Sequence, residues 1–569
     1  MKRHVKPWAG TLLAASAALA IAACGSSSSS SSATSAAPAG SSSSGTSSAA
    51  APASGGKQGG TITIDAGTAP ISADQGLDFT TQGTELYSVV NTPLLVFKRA
   101  PGAAGAQILP GLAKALPTIT NGGKTLTFYL RPGLKYSNGQ PIKASDETYA
   151  LERDLKIPWQ AASFVGAYVK GGTAYASGKA KTLSGITTDN ATGKIVVNLV
   201  TPFAPMTDVF ALSGTAPVPS STPMKNLAST GTIGDGPYKW GPITPNQSYT
   251  LIKNPAFNGV PASSVPTGHA DKIVYNVNSN VLADAQQVLN NQADVFDPGD
   301  TLPASILQQV QTQAKGRYQA IPTNSTFYFF MAVNQKPFSN LYARQAVLAA
   351  LDLRALSRLD SGFLTPDCHL IPPGITPSSP STCPFHNPNA APNMTMAKQL
   401  MKKSGMIGQP VTVWGESRSP RKQYVDYFTQ VLNSIGFKAQ EKIINSSQYF
   451  TTIGSPKTKP QAGFADWSQD FPNPWDFMQL FAGNAGSSLN YGYVNDPYYN
   501  KQLVKLYETT PLSKAQSGWA ALDQYGVQHA YWAAYGHESY PKLYSDRLNY
   551  NAGVFTIEYL TDLTSLQLK

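Results

Sequence analysis

Two cysteines in the body of the chain, Cys368 and Cys383, lie close together in a segment rich in proline, serine and threonine. In an oxidising compartment such a pair reads as one disulfide that closes a loop. For a loop of roughly 15 residues the chain-entropy model gives about 3 kcal/mol of stabilisation. His369 and His386 open a second reading, in which Cys, His, Cys and His form a metal-ligand set. The directly adjacent Cys-His pair is unlike the usual ligand spacing, so the expectation is the disulfide and no metal. Hydrolytic chemistry finds little support. The nearest approach to a nucleophile elbow is Gly415-Glu416-Ser417-Arg418-Ser419, which lacks the final glycine. There is no His-Glu-x-x-His pattern, and the chain has only 6 histidines, of which His4 lies in the leading segment. No set of catalytic residues emerges and no cofactor is implied.

The third cysteine, Cys24, has a different setting. Lys2, Arg3 and Lys6 precede an apolar run from Thr11 to Ala23, and Ala22 and Ala23 directly precede the thiol. That is the layout of a secretory signal peptide, expected over residues 1–23, and it is shorter than the roughly 20 apolar residues needed to span a bilayer. The small-small-Cys ending resembles the bacterial lipobox, in which the cysteine thiol is acylated. An ordinary signal peptide with a chance cysteine is the alternative. From Gly25 to Gly60 the chain is nearly all Ser, Ala, Gly, Thr and Pro, with Lys57 as its only charge. Such a stretch cannot bury enough apolar surface to fold. Residues 24–60 are therefore expected to be a tether with a mean reach of about 30–35 Å, placing the body outside the cell on a lipid anchor.

The 569-residue chain carries a formal charge of +11, reduced to +8 when Lys2, Arg3 and Lys6 leave with the signal. With 13% charged residues this is a dilute excess. The longest basic cluster, Arg418 to Lys422, is too short for a nucleic-acid arm. Nucleic acid is set aside, and the expectation is a monomer facing an anionic envelope.

Strand-like and helical patterns alternate along the body. Thr125 to Leu130 reads as a strand ended by Arg131-Pro132-Gly133. Ser145 then reads as an N-cap, with Asp146 and Glu147 in the first turn. Val425, Phe428, Val431, Leu432 and Ile435 share one helical face. Gly436 follows at C′, and Phe437 to Ile444 is the next strand. Asn340 and Asp496-Pro497 open two further helices. Helices interleaved with strands over this length mean α/β lobes.

Several segments together resemble the extracellular solute-binding proteins of family 5, the dipeptide- and oligopeptide-binding class of ABC importers. The longest match is Leu126-Thr127-Phe128-Tyr129-Leu130-Arg131-Pro132-Gly133-Leu134-Lys135-Tyr136-Ser137-Asn138-Gly139-Gln140-Pro141-Ile142. Others are Gly234-Asp235-Gly236-Pro237-Tyr238, the stretch from Asn334 to Asp352, and Trp467-Ser468-Gln469-Asp470-Phe471-Pro472-Asn473-Pro474. The glycine-bearing blocks are turn signals and belong to the scaffold.

The resemblance implies a two-lobed α/β fold of the type II periplasmic-binding kind, with an inserted subdomain and a hinge between lobes. Lobe 1 would combine residues 61–98, 207–319 and 538–569, the insertion would fill 99–206, and lobe 2 would span 320–537. By the same resemblance Asp470 pairs with the α-amino group of a bound peptide and Trp467 walls the pocket. Tyr449 is a second pocket aromatic, and Gly83 and Thr84 belong to a lobe 1 loop that approaches the ligand. Arg418 and Arg421 are candidates for a clamp on a peptide carboxylate. The implied function is capture of a small peptide and its delivery to an ABC permease, with no bond made or broken. The alternatives are a non-peptide solute such as an oligosaccharide or metal complex, a signalling receptor, and, with less support, a secreted hydrolase.

Overall fold

A computed structural model describes residues 55–157, 159, 161–297, 302, 304–375, 382–455, 457–483, 489–549 and 560–569. The signal peptide, Cys24 and the tether through residue 54 lie outside these residues. No helix among the described residues is long and apolar enough to cross a membrane.

The chain folds around one extended mixed sheet. Its strands run in the order Lys438–Ile444, Pro410–Glu416, Ala462–Ser468, Ser325–Met331, Trp532–Tyr544, Val295–Asp297, Thr61–Ala66, Lys272–Val277, Ser248–Lys253, Tyr238–Thr244. Strands from residues 325–468 make one half and strands from residues 61–66 and 238–297 make the other. Trp532–Tyr544 joins them. Its first residues pair antiparallel with Ser325–Met331, and Ser539 to Leu543 pair with Tyr318–Pro322. The lobe boundaries expected near residues 319 and 537 fall inside this paired segment.

Each half carries a parallel element that requires a helical crossover. Thr61–Ala66 runs parallel to Lys272–Val277 and to Val295–Asp297. In the other half, Pro410–Glu416 runs parallel to Lys438–Ile444, and the helix Arg421–Ser434 crosses between them. That helix buries Tyr424, Val425, Phe428, Val431 and Leu432, the stripe read from the sequence, with Tyr424 added. Gly436 follows at a φ of +108°, where a side chain would be strained.

Residues 118–198 contribute a separate four-stranded sheet, ordered Thr118–Thr120, Thr125–Tyr129, Lys194–Asn198, Ile186–Asp189, with the helix Ala144–Lys156 against it. That helix starts two residues earlier than expected. Its N-cap is Lys143, whose backbone N–H donates to the Asp146 carboxylate at 2.9 Å, so Ser145 is not the cap. Asp146 and Glu147 stand in its first turn, as expected, and both are buried. Asn340 and Asp496 do cap their helices, accepting from the backbone N–H of Ala343 and Tyr499.

Two contacts fix this layer against its neighbours. Arg153, on the helix Ala144–Lys156, pairs in bidentate fashion with Asp74 at 2.8 and 2.6 Å, both side chains being buried. On the other side, Phe164, Tyr168 and Phe203 meet Phe471, Trp475 and Tyr507. Phe203 lies edge-on to Trp475 at 4.9 Å and stacks on Tyr168 at 3.6 Å. Phe164 lies edge-on to Phe471 at 5.5 Å. Each such ring pair contributes about 0.5–1.5 kcal/mol beyond its area.

Candidate functional site

The strand Ala462–Ser468 delivers the centre of the site. It pairs antiparallel with Ser325–Met331, so Asp466 sits opposite Phe327. Past its end, Gln469 is held by its backbone N–H to the Asn324 carbonyl at 3.3 Å and by the Asn324 amide to its side-chain oxygen at 3.1 Å. Asp470 follows. A sharp turn leads to Asn473, whose side chain accepts from the Trp475 N–H and caps the short helix Pro474–Met478, with proline at its first position. Asp476 in that first turn accepts the Asp470 backbone N–H at 2.7 Å.

Facing this strand end is the loop leading into the helix Thr81–Val90. Thr80 caps the helix through its hydroxyl, which accepts from the Gly83 N–H at 3.1 Å. Asp78 stiffens the turn by accepting the Thr80 N–H at 2.7 Å. The Arg153–Asp74 pair anchors the same loop from behind. Removing one partner of such a buried pair costs about 3–5 kcal/mol, because the other charge is stranded.

Between these walls lie two cavities that share Phe79, Phe450 and Asp470. The first, of about 370 Å³, is bounded by Thr68, Phe79, Thr80 and Thr84 on one side and by Arg418, Asp466, Gln469 and Asp470 on the other. The second, of about 650 Å³, is walled by Phe79, Phe164, Phe450, Trp467 and Tyr491. Both volumes fall in the range of small-ligand sites, about 300–1,000 Å³. The Thr68 hydroxyl, in the wall of the first cavity, has no hydrogen-bond partner among the described residues.

The electrostatics centre on Asp470. Its carboxyl is held well above the usual carboxylate range, first by burial and then by the adjacent charge of Asp476. Asp476 is itself pushed up to about 7, chiefly by burial. Among the described residues, no ion pair engages Asp470. Arg421, by contrast, is occupied. Its guanidinium donates to Asp466 at 2.7 Å, lies 3.4 Å from Glu416, and sits over the rings of Phe327 and Phe464. Arg418 is more open and contacts Glu416 at 3.4 Å.

The structure thus brings Asp470, Trp467 and Thr84 to the cavities. Tyr449 lies elsewhere. It is fully buried, donating its hydroxyl to the carbonyls of Trp414 and Phe464 at 2.9 and 2.7 Å, while its neighbour Phe450 faces both cavities. Gly83 bounds neither cavity. A Cβ there would come within 2.4 Å of Asp78 Oδ2, so the glycine serves the packing of the turn. Phe79, Thr68 and Phe164 were missed by sequence reading, because nothing in their spacing distinguishes them from core. Cys368 and Cys383 are joined as a disulfide and line neither cavity.

A cleft between two sheet halves that share a hinge strand, carrying a half-buried carboxyl and aromatic walls, fits a two-lobed solute-binding protein. The chain belongs to the bacterial extracellular solute-binding proteins, family 5: the model described as the middle part of that family matches residues 107–488. It is similar to the dipeptide-binding protein DppE of Bacillus subtilis, at 25% identity over 405 residues, 68% of this chain and 71% of the relative. It is also similar to the glutathione-binding protein GsiB of Escherichia coli, at 26% identity over 375 residues, 64% of this chain and 68% of the relative. Among solved structures, the clavulanic acid biosynthesis oligopeptide binding protein 2 superposes with a TM-score of 0.78 at 20% identity, covering 90% of this chain and 96% of its own. The chain is therefore a solute-binding protein of the ABC-importer class.

Proposed function

We propose that this protein is a membrane-anchored receptor that captures a small peptide by its free amino terminus and hands it to an ABC permease. The observation that carries this reading is Asp470, a half-buried carboxyl at the junction of two cavities, desolvated by its surroundings and with no cation paired to it among the described residues. A buried charge is tolerated when its counter-ion arrives with the ligand, and an α-ammonium group supplies that charge. The aromatic walls of the second cavity suit varied apolar side chains. Arg418 is placed to meet a carboxylate. Relatives named for a dipeptide and for glutathione support a peptidic ligand.

The test is calorimetry on wild type and Asp470→Asn with free and N-acetylated peptides. Losing one partner of a buried charge pair typically costs about 2–5 kcal/mol, so each single change weakens binding at least tenfold, about 1.4 kcal/mol. The double combination is little worse than either alone, because both changes remove the same pair. Equal affinities for free and acetylated peptide would refute the assignment.

A non-peptide solute is the second reading, favoured by the second cavity. Phe79, Phe450, Trp467 and Tyr491 would stack a sugar or a fused ring as readily as they wall a side chain. Mass spectrometry of ligand released from natively extracted protein separates the two.

A further inference from the structure

The disulfide, which lines neither cavity, sits in a ring of donor groups. One ligand atom from each of Asp367, Cys368, His369 and Cys383 lies within 4.8 Å of every other. His386, which the sequence placed in the candidate ligand set, is not in this group. His369 is 6% exposed, and its two ring nitrogens differ sharply. Nδ1 lies 2.9 Å from the Asp523 carboxylate, while Nε2 is buried with no hydrogen-bond partner among the described residues. Asp523 is fixed in turn by accepting the Leu370 N–H at 3.0 Å. A histidine with one nitrogen on a carboxylate and the other bare is arranged as metal-ligating histidines are, with the carboxylate setting the tautomer and raising basicity. Asp367 is ordered by the N–H groups of Cys368 and His369 at 2.6 and 3.3 Å.

We propose that, when the Cys368–Cys383 disulfide is reduced, these residues form a four-ligand site for zinc or a similar divalent ion. The ligands are the two thiolates, His369 Nε2 and the Asp367 carboxylate. Tetrahedral zinc holds such ligands at about 2.0–2.3 Å, so they need close up only slightly from their present spacing once the sulfurs part. Cys383 is the more exposed residue of the pair. An external dithiol cleaves the S–S bond by two exchanges, leaves as its own cyclic disulfide, and deposits two protons as the two thiols form. Zinc then displaces those two protons to solvent as it takes up the thiolates. The metal would tie the loop to the helix Gln516–Gln528 through Asp523, replacing one staple with another. The thiolates and imidazole select a borderline-soft ion over calcium or magnesium.

The experiment reduces the mature protein with a phosphine, removes the reductant without air, and titrates zinc against a chromogenic chelator while near-ultraviolet dichroism reports the fold. One equivalent of zinc should bind the reduced protein and none the oxidised one. Cobalt(II) in the same site should give the visible bands of tetrahedral, sulfur-bearing coordination. His369→Ala should weaken zinc binding at least 100-fold, Asp523→Asn by 10–100-fold, and His386→Ala should leave it unchanged. The proposal is overturned if the folded reduced protein takes up no zinc or if His369→Ala binds as tightly as wild type. It is equally overturned if His386→Ala abolishes the site, or if zinc binds only after the dichroism of the folded state is lost.

Discussion

Peptide affinity should depend on pH in a way dictated by the Asp470–Asp476 pair. In the free protein, burial and the neighbouring Asp476 hold the Asp470 carboxyl well above its ordinary range, and Asp476 lies near 7. The raised pKa favours the protonated, neutral Asp470 in the free protein, which offers an ammonium group no charge. An arriving ammonium favours the carboxylate, so binding expels a proton. Affinity therefore rises with pH, by up to tenfold per unit, since one unit is worth about 1.36 kcal/mol. Across the acid range affinity climbs with pH. Above about pH 7.7–8.0 the peptide's own α-amino group loses its proton, which opposes the rise. Calorimetry in two buffers of different ionisation enthalpy should report proton release on binding on the acid side of neutrality. N-acetylated peptide should show neither the slope nor the proton. An affinity that is flat or declines from pH 5 to 7 would refute the reasoning.

Three further outcomes are expected. Trp475→Ala removes the ring that meets Phe164, Phe203 and Phe471; it should cost about 3–5 kcal/mol, read as a lower denaturant midpoint. Asp74→Ala strands the Arg153 guanidinium and should cost about 3–5 kcal/mol in the same assay, while Asp74→Asn, which keeps one acceptor oxygen, should cost less. Cys24→Ser should move the protein from the membrane fraction to the soluble fraction of cells, and full retention with membrane would contradict acylation.

Much of the scaffold was legible because local chemistry and tertiary demand agree there. The stripe from Val425 to Leu432, the glycine at 436 and the caps at Asn340 and Asp496 each follow from a backbone requirement that the sequence states directly. Ser145 misled because the Lys143 backbone and the Asp146 carboxylate satisfy the helix end without its hydroxyl. Asp470 and Trp467 stood out through a motif, whereas Tyr449 and Phe450 are adjacent aromatics on the helix Ser446–Ile453, about 100° apart around its axis. Which one reaches the cavity is decided by the carbonyls of Trp414 and Phe464, which claim the tyrosine hydroxyl. The aromatic contact between Phe203 and Trp475 joins residues far apart in sequence, and no periodicity announces such a meeting.

The strand Trp532–Tyr544 has a practical corollary for anyone who would dissect this molecule. Its first residues complete the sheet of one half and its last residues complete the other. Either lobe expressed alone would lose a central strand or carry half of it as a dangling arm, exposing raw sheet edges of the kind that drive aggregation. Fragment complementation should therefore be designed with the cut elsewhere, keeping this strand whole in one piece. Reporter insertions meant to follow closure belong in surface loops on either side of it, because a fusion within it would uncouple the two halves whose relative motion is to be read.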